Sequence, residues 1–442
     1  MLPDLCALIV DDEKDIRALI SMALERIDIR CEQAADVSEA MEKLASDRYH
    51  FCITDMKLPD SDGIQLIQHC NRAYPDMPIA MITAFGNMEV GVNALKAGAF
   101  DVVAKPLDIK RLRELATSAL RLTKVSGSLP EQCRNLIIGE SEEMQTLRTS
   151  LRKVGRTQAP VFIQGEHGTG KEGIARAIHL ISSRADQAFI TINCDGLDNE
   201  TAAESLFGYA DESGTIHPGL IQNADHGTLF LNNIEHLSSE LQAQLLQLLT
   251  DRKIRPFNAI EEHDLDTRLI SASSTDITPM TNNGSFRQDL FFRLRVVHLD
   301  VPALREHRQD IPLLVRHFLQ SYATEWDMPE VTVSDEAMQA LCDHPLPGNT
   351  RELDAILQRA FTLMEGDEIQ LSDLQFEPQT TTGGYHSHSE AVGDLEGYLE
   401  RLEREAIEEA LKATRWNKTA AAERLGISFR ALRYRCKKLA ID

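Results

Sequence analysis

The sequence of 442 residues predicts a multidomain α/β chain that ends in a small helical domain. Three observations support this fold class. The first 125 residues alternate apolar strand patterns with amphipathic helix patterns, a glycine-rich loop follows an apolar strand near residue 165, and residues 412–442 are basic. Alternating strands and helices are typical of a parallel sheet with helices on both faces. We therefore expect two parallel-sheet domains before the basic end.

Composition narrows the class of protein further. Charged residues make up 26% and hydrophobic residues 43% of the chain, as in ordinary globular proteins. The eight cysteines are scattered without a C-x-x-C pair, which favours reduced thiols over disulfides or zinc. No apolar run is long enough for a membrane span, and no signal-peptide pattern opens the sequence. We expect a cytoplasmic protein without a membrane partner.

The charge is distributed unevenly. The whole chain has a net charge of −23, yet residues 412–442 contain nine Lys/Arg and two Asp/Glu, which gives this end +7 and the remainder −30. An acidic body does not bind polyanions over its whole surface. A basic end on such a body indicates a nucleic-acid-binding domain at that end.

Polar side chains follow the apolar strand patterns of the first domain. Asp11 and Asp12 follow a strand at 7–10, and the next three strands end in Asp55, Thr83 and Lys105. In parallel sheets the functional residues gather at these carboxyl ends. Carboxylates in such a group bind a hard cation such as Mg²⁺, and one of them can act as a nucleophile toward phosphorus.

This arrangement resembles the receiver domain of bacterial two-component response regulators, over roughly residues 4–122. The resemblance implies that Asp55 accepts a phosphoryl group from a sensor histidine kinase. It also implies that Asp11, Asp12 and Asp55 form the Mg²⁺ site, and that Thr83 and Lys105 bind the phosphoryl oxygens. Phe100 would be the switch aromatic, and the Lys105–Pro106 bond would be cis. The alternative is a flavodoxin-like domain whose strands end in acids by chance.

The helix pattern at 107–124 has two interpretations. Leu112, Leu115, Ala119 and Leu122 follow a 3-4-3 spacing that is typical of a short dimerising coiled coil. The same spacing suits a helix that packs on its own receiver. The domain boundaries are predicted as 1–123 for the receiver and 124–136 for a linker.

The phosphate-loop pattern G-x-x-x-x-G-K organises the second domain. It follows the apolar residues 161–163 and precedes a helix pattern at 173–181, which is the strand–loop–helix context that this motif requires. Backbone N–H groups of such a loop surround phosphate oxygens, and the lysine reaches the terminal phosphates. We expect ATP or ADP to bind here. The candidate nucleotide-binding residues are Gly165, Glu166, His167, Gly168, Thr169, Gly170, Lys171 and Glu172.

Several longer segments resemble the AAA+ domain of NtrC-type, sigma-54-dependent activators. The resemblance is carried by the segments 137–141, 204–208, 286–294, 301–306 and 347–353. It implies that Arg287 and Arg293 are arginine-finger candidates and that Arg351 senses the nucleotide from the helical lid. We predict an α/β subdomain at 137–300 and a helical lid at 301–375. Within the family the chain is similar to regulators of the pilus-gene type.

Three departures from the family pattern concern hydrolysis and output. Asn232 and Asn233 follow the strand at 228–231, where the family has Asp-Glu to organise Mg²⁺ and the attacking water. Loss of both charges removes the main source of phosphoryl-transfer catalysis. Glu235 lies two residues farther on, where we expect the strand to have ended, so we do not expect it to compensate. Ser274 stands where the family usually has the first-sensor asparagine.

The third departure is a missing output motif. After Phe207 and Gly208 the family has Gly-Ala-Phe-Thr-Gly-Ala, the loop that contacts the sigma factor. Here the segment 209–219 lacks that motif and is a few residues shorter. We therefore expect a domain that binds ATP without efficient hydrolysis and without the usual sigma-54 contact.

The C-terminal sequence predicts a DNA-binding domain after a flexible linker at 376–393. The segment 394–414 is an amphipathic helix pattern with Leu395, Leu399, Leu402, Ala406 and Ala410 on one face. Two further helix patterns, 417–425 and 429–439, flank a turn with Gly426, and this resembles a Fis-type helix-turn-helix. Leu432 and Leu439 would pack inward. The predicted DNA contacts are Arg430, Arg433, Arg435, Lys437 and Lys438.

These features together predict a phosphorylation-controlled, sequence-specific transcription regulator with the DNA-binding domain at 394–442. Its expected partners are DNA, a sensor histidine kinase and RNA polymerase, and it would form a homodimer or a higher ring. The enzyme alternative is an active ATPase that activates sigma-54 promoters through an unusual loop. A third hypothesis is an interaction protein that inactivates rings of an intact relative.

Overall fold

The computed structural model describes residues 5–376 apart from 84–87, 124–129, 198–201, 212, 214, 260 and 365, together with eight separate positions from 404 to 436. The chain divides into two compact units, residues 1–375 and 376–442. Within the described residues no helix combines the length and the apolar character that a membrane crossing requires.

The first sheet is parallel and five-stranded, with the order β2-β1-β3-β4-β5. Its strands are β1 (Cys6–Val10), β2 (Arg30–Ala34), β3 (Phe51–Asp55), β4 (Ile79–Thr83) and β5 (Val102–Ala104). The helices that cover it are α1 (Lys14–Glu25), α2 (Val37–Ser46), α3 (Gly63–Ala73), α4 (Met88–Lys96) and α5 (Ile109–Thr123). Alternate residues of β1 and β3 enter separate apolar cores on the two faces of the sheet.

The sequence reasoning missed β2 because its residues are mostly polar. Only Ala34 of this strand is buried, as is common for a strand at the edge of a sheet. Helix α5 was predicted correctly, and the structure decides between its two interpretations. Leu112, Leu115, Ala119 and Leu122 are all buried in the core of their own receiver. These four residues are therefore not available to a second helix, and the interpretation as a dimerising coiled coil is wrong for this structure.

The second sheet is also parallel, with the order β14-β6-β13-β10-β7. Its strands are β6 (Val161–Gln164), β7 (Phe189–Asn193), β10 (Thr228–Asn232), β13 (Arg268–Ser273) and β14 (Val297–Asp300). The surrounding helices are α6 (Glu131–Leu136), α7 (Glu142–Gly155), α8 (Lys171–Ile181), α9 (Ala202–Phe207), α10 (Ser239–Asp251), α11 (Thr278–Asn282) and α12 (Gln288–Leu294). Two short hairpins project from this subdomain, β8 (Tyr209–Ala210) with β9 (Ile216–His217) and β11 (Lys253–Ile254) with β12 (His263–Asp264).

The predicted linker 124–136 needs a correction. Residues 131–136 form α6, and Cys133 on this helix is buried in the core of the second sheet. The helical lid that follows contains α13 (Ile311–Glu325), α14 (Asp335–Asp343), α15 (Asn349–Leu363) and the small sheet of β15 (Thr332–Val333) and β16 (Glu368–Ile369). Pro347 and Gly348 immediately precede α15, which brings its first residues to the phosphate loop.

The second unit is described at a few positions only. Ile407, Leu411, Leu432 and Cys436 are helical and buried, which confirms the inward position of Leu432. Ile407 and Leu411 lie in the predicted helix 394–414, whose predicted face residues Leu395, Leu399, Leu402, Ala406 and Ala410 are outside the described residues. The predicted linker 376–393 lies outside the described residues except for Phe376.

Candidate functional site

The first sheet brings the predicted receiver residues together. Asp11 directly follows β1, Asp55 ends β3, Thr83 ends β4, and Lys105 follows β5. Asp11 is fully buried and Asp55 is 7% exposed. Because the strands are parallel neighbours, their carboxyl ends meet at one edge of the sheet.

Lys105 is the cation at the centre of this site. Its Nζ lies 2.9 Å from Oδ1 of Asp55, 3.3 Å from Oδ2 of Asp11 and 3.4 Å from Oε1 of Glu13. Burial disfavours the charged form of Lys105, but the hydrogen bonds and charges of Asp55 and Asp11 outweigh burial and raise the pKa of the lysine. The lysine therefore stays protonated and lies in contact with the predicted phosphoacceptor.

Three carboxylates form a candidate cation site. Oxygens of Asp11, Asp12 and Glu13 lie within 4.8 Å of one another. Burial raises the pKa of Asp11, so this carboxylate is poorly compensated by its present neighbours. A hard divalent cation with oxygen ligands would compensate it, so the donor set fits Mg²⁺. Glu13 was not predicted, although its position next to Asp12 was a signal, and the Oδ1 atom of Asp55 is paired with Lys105 here.

The backbone around Asp55 is closely packed. Oδ2 of Asp55 accepts a hydrogen bond from the N–H of Lys57 at 2.9 Å. A side chain at Gly63 would place its Cβ only 2.1 Å from the carbonyl oxygen of Asp55, so glycine is required at the start of α3. Thr83 is 5% exposed and its hydroxyl lies beside Met56. The Lys105–Pro106 bond is cis, as predicted.

The phosphate loop has the predicted strand–loop–helix geometry. Strand β6 ends at Gln164, the loop follows, and α8 begins at Lys171. Gly168 and Gly170 have φ values of 77° and 85°, which favour glycine. The loop faces a cavity of about 280 Å³ whose lining includes Asn232, Ser274 and Arg351. This cavity is the candidate nucleotide site.

Lys171 is 6% exposed, and its Nζ has three hydrogen-bond acceptors. Its Nζ donates to the carbonyl oxygens of Gly165 at 2.7 Å and Glu166 at 2.8 Å, and to Oγ of Ser274 at 3.0 Å. Burial lowers the pKa of Lys171 to about 8, and the charge of Glu235 is the main opposing influence.

The lid holds the loop from its other side. Arg305 forms a bidentate pair with the carboxylate of Glu166 at 2.6 and 2.7 Å, and this pairing lowers the pKa of Glu166 to about 2. Nδ2 of Asn349 donates to the carbonyl oxygen of His167 at 2.9 Å. The hydroxyl of Thr350 donates to the carbonyl oxygen of Gly168. Arg351 is exposed at the mouth of the cavity, where a nucleotide would be in reach.

Asn232 and Asn233 occupy the strand end that the family pattern reserves for two acids. Asn232 lines the cavity, and its Oδ1 atom is buried with no hydrogen-bond partner among the residues that the structure describes. Asn233 is in the left-handed region with φ of 55°. Its Nδ2 donates to Oδ2 of Asp195 at 2.5 Å, and its Oδ1 accepts from the hydroxyl of Ser274 at 2.9 Å. Neither side chain can act as a base.

Glu235 lies closer to the site than the sequence suggested. The strand does end at Asn232, but the left-handed turn at Asn233 leads into a short 3-10 helix, Ile234–His236, that returns the chain beneath the cavity. Oε1 of Glu235 accepts a hydrogen bond from the N–H of Ser274 at 2.8 Å, and Oε2 is buried with no partner in the described part of the chain. Glu235 itself is 8% exposed.

The arginine-finger candidates lie on or beside α12. Arg287 pairs with Asp289 at 2.7 Å, and Arg293 donates to the carbonyl oxygen of Leu249 at 3.3 Å. Among the described residues that line the candidate nucleotide cavity, neither arginine is present. Their proposed function would require the nucleotide of a neighbouring subunit.

The segment that lacks the output motif forms a short hairpin. Between β8 and β9, a carboxylate oxygen of Asp211 accepts the N–H groups of Ser213 and Thr215, both at 2.9 Å. The rings of Tyr209 and His217 stack across the hairpin with centroids 4.7 Å apart. The large side chains of Tyr209 and Ile216 are exposed.

An ion-pair network connects the receiver to the second sheet. The carboxylate of Asp266, just before β13, accepts hydrogen bonds from Nη2 of Arg184 at 3.0 Å and from Nη1 of Arg111 at 2.9 Å. Arg111 is on α5 of the receiver and also reaches Asp101 at 3.1 Å. Burial would raise the pKa of Asp266, but Arg184 and Arg111 outweigh it and lower that pKa to about 2.

Two further contacts join these domains. The N–H of Gln158 donates to the carbonyl oxygen of Phe100 at 2.8 Å, and Phe100 is the predicted switch aromatic. Nη1 of Arg156 pairs with Oδ1 of Asp76 at 2.8 Å. The receiver surface next to Phe100 is thus in direct contact with the nucleotide-binding subdomain.

The predicted DNA contacts cannot be placed. Arg430, Arg433, Arg435, Lys437 and Lys438 all lie outside the described residues, as does Leu439. Their role stays a prediction from the sequence.

Comparison with protein families gives four matches along the chain. Residues 7–117 match the response regulator receiver domain, 137–300 the sigma-54 interaction domain, 305–391 the AAA+ ATPase lid domain, and 398–439 the bacterial regulatory protein, Fis family. These matches confirm the predicted fold class and its order of domains.

Full-length relatives and solved structures agree with the domain matches. The chain is 43% identical to the response regulator protein PilR of Pseudomonas aeruginosa, over 99% of each chain, and 34% identical to the regulatory protein AtoC of Escherichia coli, over 98% of each. Crystal structures of NtrX from Brucella abortus in complex with ADP and with ATP are 30% identical, with TM-scores of 0.52 and 0.51. The match covers 99% of this chain in both cases, and 99% and 100% of the respective NtrX chains.

Proposed function

The chain belongs to the NtrC-type family of two-component response regulators, and from this premise we propose a specific division of labour between its domains. The receiver takes a phosphoryl group at Asp55, and the AAA+ domain binds ATP or ADP without efficient hydrolysis. The C-terminal domain binds DNA and controls transcription without the usual sigma-54 contact.

The receiver residues support phosphoryl transfer to Asp55. A carboxylate oxygen of Asp55 would form a bond to phosphorus while the bond from phosphorus to the kinase imidazole nitrogen breaks, and the electron pair of that bond stays on the imidazole. Mg²⁺ held by Asp11 and Asp12, with Glu13 beside them, would neutralise charge on the phosphoryl oxygens. Lys105 is already 2.9 Å from Asp55 and would pair with a phosphoryl oxygen, while the Thr83 hydroxyl would donate to another.

The receiver–AAA+ contacts support a route from phosphorylation to output. The carbonyl of Phe100 and the guanidinium of Arg111 both contact the nucleotide-binding subdomain. Phosphorylation at Asp55 that moves Thr83 and Phe100 would therefore change the packing of these two domains. Such a change would bias formation of a homodimer or a ring, and hence the occupancy of DNA.

The nucleotide site retains its binding elements. The phosphate loop, Lys171 and the lid contacts through Arg305 and Asn349 are in place. Backbone N–H groups and a lysine are sufficient to bind phosphates. The NtrX structures with ADP and ATP support the expectation that this chain also binds nucleotide.

The observation that carries the proposal is the pairing of Asn233. Its two polar atoms are used by Asp195 and Ser274, and Asn232 supplies only a neutral amide to the cavity. Catalysis of phosphoryl transfer relies on preorganised charge at the metal and the attacking water. A site with two asparagines in these places binds ATP but lacks that charge.

The output element supports a sigma-54-independent role. The hairpin of β8 and β9 is short and lacks the six-residue motif of the family. We infer that RNA polymerase, if contacted, is reached through another surface. The basic C-terminal domain supplies DNA binding, with a homodimer reading a roughly palindromic site.

One experiment tests the nucleotide part of this proposal. ATP binding and ATP turnover are measured on the purified full-length protein beside Lys171→Ala, with Lys253→Ala as the control for loss of an exposed lysine. We expect binding in the wild type, loss of binding in Lys171→Ala, and turnover no higher than that of Lys171→Ala. Turnover clearly above this baseline would contradict the proposal.

The second candidate function is an active ATPase that activates sigma-54 promoters. Two observations favour it: residues 137–300 match the sigma-54 interaction domain, and a buried carboxylate, Glu235, lies beneath the nucleotide site. In vitro transcription with the sigma-54 holoenzyme, ATP and a promoter that the protein binds would decide between the two. ATP-dependent open-complex formation would favour this second function.

A further inference from the structure

Glu235 is a buried acid that the proposed function does not use. It lies in the 3-10 turn after β10 and is 8% exposed. One carboxylate oxygen accepts the N–H of Ser274 at 2.8 Å, while the other is buried without a hydrogen-bond partner among the described residues. A buried carboxylate with one unpaired oxygen is costly, since burial removes water without full replacement. Such a group calls for an explanation other than packing.

Ser274 connects Glu235 to the phosphate-loop lysine. Its backbone N–H is bound by Glu235, and its hydroxyl oxygen accepts from Nζ of Lys171 at 3.0 Å. The same hydroxyl donates to Oδ1 of Asn233 at 2.9 Å. The carboxylate therefore fixes the residue that holds Lys171, and it does so through a backbone group that a change of the Ser274 side chain would not remove.

The other charged groups around Lys171 either repel its ammonium or are paired with arginines. From the lid, Arg351 repels the ammonium, and from the loop, Glu166 attracts it. The Glu166 carboxylate is committed to the bidentate pair with Arg305. Glu172, next to Lys171, lies 3.5 Å from Arg176. On β10, Asn232 and Asn233 are neutral.

The remaining acids near the site are already engaged. Asp195 pairs with Asn233 and with His236 at 3.1 Å, and Asp354 accepts from the hydroxyl of Tyr322. Oε2 of Glu235 has no such partner among the described residues. Burial lowers the pKa of Lys171, and the charge of Glu235 is the first among the influences that oppose this change.

We propose that Glu235 is a positioning residue of the nucleotide site, which holds Lys171 in place through Ser274 and supplies the negative charge that the two asparagines no longer provide. This inference rests on the proposed nucleotide binding. It assigns Glu235 to ATP affinity and not to the chemical step, because its free oxygen is buried and Glu235 is absent from the described residues that line the cavity.

The test compares ATP affinity across pH for the full-length protein and two variants. Glu235→Gln keeps the shape and removes the charge, and Ser274→Ala keeps the charge and removes the hydroxyl link. Glu240→Gln, an exposed acid on α10, is the matched control. Affinity is measured by calorimetry with ATP from pH 6.5 to pH 9, and thermal unfolding checks that each variant is folded.

We expect Glu235→Gln to weaken ATP binding and to move the alkaline loss of affinity to lower pH. A decrease of one unit in the pKa of Lys171 would correspond to about tenfold weaker binding at pH values well above the wild-type midpoint. Ser274→Ala should weaken binding without moving the midpoint, and Glu240→Gln should match the wild type. If Glu235→Gln does not fold, the Ser274→Ala result still decides, because unchanged affinity there would remove the proposed link.

Two outcomes would overturn the inference. The first is a Glu235→Gln variant that binds ATP like the wild type at every pH. The second is a variant with unchanged affinity but with loss of a turnover that the wild type performs, which would make Glu235 a catalytic residue. The tests of the two proposals can be told apart. Wild-type turnover above that of Lys171→Ala contradicts only the proposal of slow hydrolysis. Absence of ATP binding by the wild type contradicts both the proposed function and the proposed role of Glu235.

Discussion

The receiver and the AAA+ domain are both parallel sheets whose polar residues gather at the carboxyl ends of the strands, yet their sites differ in completeness. The receiver site has acids at the ends of β1 and β3 and a lysine after β5. The AAA+ site has its phosphate loop and lysine, but β10 ends in Asn232 and is followed by Asn233. Under the proposed function, the receiver site keeps the charges that phosphoryl transfer needs, and the AAA+ site keeps those that bind phosphate.

The comparison shows that a strand can form whether or not the residues at its end are suited to catalysis. Leu229, Phe230 and Leu231 of β10 are buried in the two cores of the second sheet, so the strand forms whichever residues come after it. Two adjacent carboxylates in such a place repel each other and lose hydration, so their replacement by amides removes a cost to stability. The sheet therefore forms equally well with Asn232 and Asn233 at this strand end.

The largest effect is expected from a substitution of Asp55 in the receiver site. Asp55→Asn removes the carboxylate oxygen that would attack phosphorus, and we expect no phosphorylation at all. Incubation with acetyl phosphate and Mg²⁺, followed by intact-protein mass spectrometry, measures this. Glu42→Gln, an exposed acid on α2, serves as the control and should be phosphorylated like the wild type. Persistent labelling of Asp55→Asn would show that a different residue accepts the phosphoryl group.

An intermediate effect on ATP affinity is expected from the titration of Lys171 in the AAA+ site. Under the proposed function the ammonium of Lys171 binds phosphate, and burial lowers the pKa of this lysine to about 8. A depressed lysine pKa means that the charge is present below this pH and is lost as the pH rises through it. ATP affinity should therefore be constant from pH 6 to pH 7 and then fall by about tenfold per pH unit above pH 8. Calorimetric titrations in matched buffers measure it, and an affinity that is flat to pH 9.5 would refute it.

The smallest effect is expected at the contact between the two domains. Arg111→Met removes the receiver side of the Asp266 network, whose partly buried ion pairs should each contribute about 1 kcal/mol. We expect hydrogen–deuterium exchange to rise severalfold in peptides that cover Phe100 and Gln158. Arg113→Met is the matched control, because Arg113 lies on the same helix but donates to Ala23 within the receiver. Equal exchange in both variants would mean that the network does not hold the domains together.

Most residues of both sites could be predicted from the sequence because short, local sequence patterns mark them. The strands that carry Asp11, Asp55 and Thr83 are apolar runs, and the phosphate loop is defined by glycines at fixed spacing. The family resemblance then gave each residue a role. The edge strand β2 escaped notice because its residues are mostly polar and form no apolar run.

The remaining features depend on the path of the chain after an element ends. Glu235 was expected to lie past the strand and away from the nucleotide, but the left-handed residue Asn233 turns the chain back beneath the site. Arg111 and Asp266 are separated by 155 residues, and their sequence context gives no sign that they meet. Such contacts are set by the packing of two folded domains and have no periodicity to reveal them.

The most direct test of the contrast between the two sites is to restore the missing acids. ATP turnover is measured for the full-length wild type, for Lys171→Ala and for the double variant Asn232→Asp/Asn233→Glu, with ATP binding verified in each. We predict that the wild type turns over ATP no faster than Lys171→Ala, and that the double variant gains at least about tenfold. A wild type that hydrolyses ATP well above the Lys171→Ala baseline, with no gain on restoring the acids, would contradict the proposal that this site binds ATP without efficient hydrolysis.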